Sequence, residues 1–105
     1  MKRGTTPTLK VKLIPLPEHI ATVEFLFKQE PTETAPELLK KTYPSDDVTL
    51  VDGVYHLTFT AGETRRFQGD SRFYLDVRPR LLSGAIPETE TVTLTMKSTL
   101  FEEDL

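Results

Sequence analysis

The stretch "VTLVDGVYHLTF", Val48 to Phe59, decides the fold. Two runs of β-branched and aromatic residues flank Asp52-Gly53, the dipeptide that best accepts the positive φ angles of a tight hairpin turn. Val48 to Val51 is therefore expected to pair with Val54 to Thr60. Tyr55, Leu57 and Phe59 then face a core, and His56 lies on the other face.

Downstream the period changes. In "TAGETRRF", Thr60 stands as an N-cap with Glu63 three residues on, the capping-box arrangement in which each side chain satisfies an orphan backbone donor. This predicts roughly one and a half to two helical turns, closed by Gly69 after Phe67, with Phe67 plugging one end of the core. "RFYLDVRP" returns to alternation, Phe73, Leu75 and Val77 on one face and Arg72, Tyr74, Asp76 and Arg78 on the other. Ser83-Gly84 connects it to "TVTLTM", an antiparallel partner with Val92, Leu94 and Met96 inward.

Upstream, Thr8 to Leu13 alternates Leu9, Val11 and Leu13 against Lys10 and Lys12, a half-buried strand that Pro15 and Pro17 end. "TVEFLFKQ" is the strongest strand signal, with Val23, Phe25 and Phe27 inward and Glu24, Leu26 and Lys28 on the polar side, where Leu26 is expected to touch a neighbour or a loop. "EPTETAP" is a surface loop. "PELLKKTY" fits either a short helix with Leu38, Leu39 and Tyr43 on one face or a strand, and the strand is favoured. Six or seven short strands separated by turn signals suit an antiparallel sandwich or barrel.

The chain has 105 residues, 37% of them hydrophobic and 28% charged, the size of one domain spanning 1–105, with an extended segment 1–7 and an acidic tail 98–105. A net charge of -3, with cations spread along the chain, argues against nucleic acid as a partner. Lys2-Arg3, Lys40-Lys41 and Arg65-Arg66 read as solvated pairs. Without cysteine there is neither a disulfide framework nor a thiolate metal site. No apolar run follows Lys2 and Arg3, so no signal peptide and no membrane span is expected.

The residues show no chemistry. His19 and His56 are far apart and lack ligand partners at metal-site spacing. Ser71, His56 and Asp76 make a triad only on paper, because no nucleophile elbow surrounds Ser71. Asp46-Asp47 and Glu102-Glu103-Asp104 read as solvated loop and tail charge rather than a general-acid pair. The glycines stand singly at turns, with no phosphate-cradling loop. The expectation is a non-enzyme with no catalytic residues, no cofactor and no metal.

"RGTTPTLKVKL", Arg3 to Leu13, followed by "VEFLFKQ", Val23 to Gln29, resembles a family of short proteins encoded in the tail and baseplate region of phages and prophages of Gram-positive bacteria. In that family an Arg-Gly-Thr-Thr-Pro segment precedes the first strand and the second strand ends much like Phe27-Lys28-Gln29. The pattern is also similar to the amino-terminal module of larger phage baseplate upper proteins. The longer stretch from Lys28 to Asp47 and the segment "RPRLLSGAIPET" depart from it.

The resemblance implies an all-β, immunoglobulin-like antiparallel sandwich of six or seven strands with one short helical turn. It also implies a non-enzymatic structural or assembly protein, placed in the virion or in the bacterial cytoplasm during assembly. Its partners would be itself, as an oligomer, or other tail and baseplate proteins. The candidate interaction segment is Arg3, Gly4, Thr5, Thr6, Pro7 and Thr8. Thr5 to Thr8 is expected to be extended and to continue the first strand, with Arg3 and Gly4 reaching a neighbouring element or subunit. The alternative is a small ligand- or glycan-binding sandwich using Tyr43, Tyr55 and Tyr74 as a stacking platform.

Overall fold

The computed structural model describes residues 1–13, 17–32, 34–87 and 90–96. Within them lie β1 (Thr8–Val11), β2 (Ile20–Lys28), β3 (Glu37–Tyr43), β4 (Val48–Val51), β5 (Val54–Thr58), β6 (Ser71–Leu81) and β7 (Glu90–Met96). One turn of helix, α1 (Ala61–Thr64), joins β5 to β6, and a 3-10 turn at Pro17–His19 leads into β2. The strands form two sheets, ordered β1-β5-β4 and β3-β2-β6-β7, with antiparallel pairing throughout. The chain visits the first sheet with β1, the second with β2 and β3, returns for β4 and β5, and ends in the second with β6 and β7. That order reproduces the B-E-D and C′-C-F-G sheets of an immunoglobulin-type sandwich, with no counterpart of the first strand among the described residues.

Alternation decides which side chains meet between the sheets. Val23, Phe25 and Phe27 from β2 and Phe73, Leu75 and Val77 from β6 face Tyr55, Leu57 and Phe59 across the core. Phe27 is its hub, with ring centroids 5.4 Å from Phe59, 6.0 Å from Phe67 and 6.2 Å from Phe73. The edge-on contacts to Phe59 and Phe67 suit the aromatic quadrupole. Phe67, 1% exposed, closes the end of the sandwich beneath α1.

The hairpin forms as its dipeptide predicts, Asp52 at φ 50 and Gly53 at φ 78, with Val51 opposite Val54. "PELLKKTY" is a strand on β2, and Gly84, at φ 88, turns the β6–β7 connection. Other expectations are corrected. β5 ends at Thr58, although Phe59 still enters the core. The helix is a single turn whose C-cap is Arg65, so Gly69 does not close it, and the left-handed residue there is Asp70 at φ 53.

Leu26 is covered by its neighbours, as expected, at 6% exposed, but Lys28 is not on an open polar face either, being 5% exposed. β2 is an inner strand, so side chains from β3 and β6 cover its outer face as well. Leu26 lies opposite Lys40 and Asp76, and the Lys28 ammonium stands 3.7 Å from the Asp76 carboxylate. The inward placement expected of Val92 and Met96, and the acidic tail, lie outside the described side chains and residues.

Tyr55 is fully buried, and its hydroxyl makes no hydrogen bond among the described residues. Burial, and secondarily the nearby Tyr43, raises its pKa above the ordinary tyrosine value. An unpartnered buried hydroxyl costs desolvation without return. Tyr55→Phe is therefore expected to leave stability unchanged or raise it by about 1 kcal/mol. Tyr55→Ala should cost about 3–5 kcal/mol through the cavity it leaves, both read by urea unfolding.

Candidate interaction surface

Of the six residues singled out at the amino terminus, Arg3, Gly4 and Thr5 bond to α1 and the segment that follows it, whereas Thr8 pairs with Thr58 of β5. Gly4 turns the chain at φ 77, a conformation open to glycine and costly for other residues. Its N–H donates to Thr64 Oγ1 at 2.9 Å. The Thr64 hydroxyl, in a fully buried residue, stands 3.0 Å from the Thr5 carbonyl and 3.1 Å from the Ala61 carbonyl and shares its one proton between them.

Arg3 donates from Nε to the Phe67 carbonyl at 2.7 Å and from Nη2 to the Arg65 carbonyl at 2.9 Å. It thereby satisfies acceptors that the end of the helical turn leaves open. The element that Arg3 and Gly4 reach is therefore this turn of the same chain. Regular strand begins only at Thr8, so Thr5 to Pro7 are not part of β1, although the Phe59 N–H donates to the Pro7 carbonyl at 3.2 Å. Thr6 is exposed and Pro7 half-buried.

The second motif of the resemblance meets the same connector. The Gln29 side-chain oxygen accepts from the Gln68 N–H at 3.1 Å, and its amide nitrogen donates to the Arg72 carbonyl at 2.6 Å. Arg3 and Gln29, far apart in sequence, thus hold the backbone between Arg65 and Arg72 from two sides.

Lys40-Lys41 is not a solvated pair. Lys41 alternates with Leu39 on the inner face of β3 and is 3% exposed, whereas Lys40 is exposed. The Lys41 ammonium lies 2.9 and 2.8 Å from the two Glu63 carboxylate oxygens, 3.1 Å from Asp47 Oδ2 and 5.3 Å from the centre of the Phe59 ring. Asp47 is correspondingly not a free loop charge.

Glu63 does two things at once. Its Oε1 accepts from the Thr60 N–H at 2.8 Å, while its own N–H donates to Thr60 Oγ1 at 3.1 Å, completing the capping box. Burial pushes the Glu63 pKa up. The hydrogen bonds from Lys41 and Thr60, with the Lys41 charge, outweigh it and hold the carboxyl below its ordinary value.

The paper triad does not assemble. Asp76 lies on the outer face of the four-stranded sheet beside Lys28, whereas His56 alternates with the buried Tyr55 and Leu57 and so faces outward from the other sheet. The tyrosine platform does not assemble either. Tyr55 is fully buried with Tyr43 packed edge-on at 5.2 Å, and Tyr74 alternates with buried Phe73 and Leu75 on the outer face. Among the described residues no cluster of His, Cys, Asp or Glu is arranged to hold a metal, and no helix is long and apolar enough to cross a membrane.

The strands paired on one side only are β1 and β4 in one sheet and β3 and β7 in the other. β1 carries Lys10, β3 carries Glu37, Lys40 and Lys41, and β4 is four residues long. Short length and charge both discourage edge pairing. β7 has neither protection from Thr91 to Met96. The Thr95 carbonyl accepts from the Met1 amino group at 3.4 Å, so it points away from β6. Thr91 and Thr93, in phase with it along the strand, turn their backbone donors and acceptors to the same open side.

Strand order and register define the class as a seven-stranded immunoglobulin-type sandwich. No family model matches the chain, and no curated protein does. Among solved structures it is similar to the extracellular domains of the voltage-gated sodium channel beta4 subunit, which form parallel homodimers, at 15% identity and a TM-score of 0.38 over 94% of this chain and 88% of that one.

A carboxylate held below its ordinary pKa stabilises the fold above that value, near 4.5, and loses the contribution as pH falls through its folded pKa. Urea unfolding of the wild type between about pH 6 and pH 3 should show stability falling with acid, and Glu63→Gln should flatten that slope. Parallel profiles would remove Glu63 from the account.

Proposed function

We propose that this chain is a non-enzymatic structural or assembly module of the tail or baseplate region of a phage or prophage. It acts through protein–protein contacts in the virion or, during assembly, in the host cytoplasm. The β7 edge pairs with a second copy, joining the two four-stranded sheets edge to edge. The observation that carries this reading is the uncharged Thr91 to Met96 run of the β7 edge, whose Thr95 carbonyl points outward and with it, by alternation, the backbone groups of Thr91 and Thr93, since such an edge is a template for another strand. The "RGTTPT" and "FKQ" resemblance supports the setting.

Deleting residues 1–7 is a poor test, because it strips α1 of Arg3, Gly4 and Thr5 as partners. Thr93→Pro removes an outward N–H and leaves the donors facing β6 in place. Sedimentation of the full chain should show concentration-dependent self-association that Thr93→Pro weakens by removing the edge-to-edge contact. Mass spectrometry of purified particles should find the chain. A wild type that stays monomeric at high concentration would overturn the edge contact, and particles devoid of the chain would overturn its place in the virion.

A further inference from the structure

The outer face of the four-stranded sheet carries a groove of about 290 Å³ lined by Thr22, Glu24, Arg78, Pro79, Arg80 and Ile86. Arg78 lies directly across from Glu24, yet the Glu24 carboxylate turns to Lys40 on its other side, 3.7 Å away. Arg78 and Arg80 are exposed and have no ion pair among the described residues. Being two residues apart on one strand they share a face, with Cα atoms about 6.5 Å apart. Ile86, 66% exposed, forms an apolar wall beside them.

Two arginines at strand spacing on one face match carboxylates that alternate along an extended peptide. The chain contains one such segment beyond β7, "FEEDL", in which Glu102 and Asp104 alternate and Phe101 adds an apolar side chain. We propose that the Arg78–Arg80 groove binds an acidic peptide segment, and that its occupant is the Glu102 to Asp104 stretch of a second copy.

The groove stands well away from the end of β7. β7 ends at Met96 opposite Ser71, seven residues along β6 from Arg78, a separation of about 23 Å. The resulting contact is head-to-tail, groove of one copy to tail of the next. It uses the sheet face rather than the β7 edge and does not rest on the edge reading.

The test is sedimentation equilibrium of the full chain in the Thr93→Pro background, where edge pairing is removed whichever way that reading falls. The parent should associate, and more weakly as salt is raised. R78E/R80E and E102K/D104K should each weaken association about tenfold or more. An equimolar mixture of the two should regain it, because each supplies the half that complements the other. R78Q/R80Q, which removes the charges without reversing them, guards against misfolding and should show a smaller loss in the same direction. A monomeric parent, a variant that associates like the parent, or a mixture that stays apart overturns the proposal. Loss in R78E/R80E with no effect of E102K/D104K overturns the assignment to the tail.

Discussion

Lys41 carries an ammonium into the space between the two sheets, and the surrounding structure is arranged to compensate it. A buried cation without a partner is costly enough that counter-charges must be held in place. Asp47 and Glu63 supply them from the segments just before β4 and just after β5, so a side chain of one sheet is tied to the other. Asp47 is itself fixed, its carbonyl accepting from the Thr58 N–H at 3.0 Å. Glu63 is fixed by the capping box at Thr60. That box orients α1, α1 presents Thr64, and Thr64 receives Gly4 and Thr5. The placement of the amino-terminal segment thus depends on a buried charge on β3.

This chain of contacts explains which parts of the structure the sequence announces. The hairpin at Asp52-Gly53, the capping box at Thr60 and Glu63, and the Phe73 to Val77 alternation are local patterns, carried by residues a few positions apart. Lys41 and Lys28 are not local. Each reads as an ordinary surface lysine until the neighbouring strand is known, because burial on β3 and on an inner β2 comes from β5, β6 and α1. One signal was available, since Lys41 falls in phase with Leu39 and Tyr43 on β3. The roles of Arg3 and Gln29 depend on carbonyls and amides about forty to sixty residues away, which no spacing rule reaches.

Both stretches behind the family resemblance end on one connector, Arg65 to Arg72. That gives "RGTTPT" and "FKQ" a common physical meaning as devices that hold the crossing from β5 to β6. It also moves the outward-facing work elsewhere. With Arg3, Gly4 and Thr5 engaged in their own domain, the contacts proposed above use the β7 edge and the arginine groove instead.

The most direct measurement of the central claim is a double-mutant cycle on Lys41→Met and Glu63→Gln, read by urea unfolding at neutral pH. Each single change should cost about 3 kcal/mol by breaking the buried pair, Glu63→Gln leaving Lys41 with Asp47 alone, and the double variant should be less destabilised than the sum by at least about 2 kcal/mol. Additive losses would mean that Lys41 and Glu63 act independently, and the sandwich would then owe its closure to the aromatic core alone.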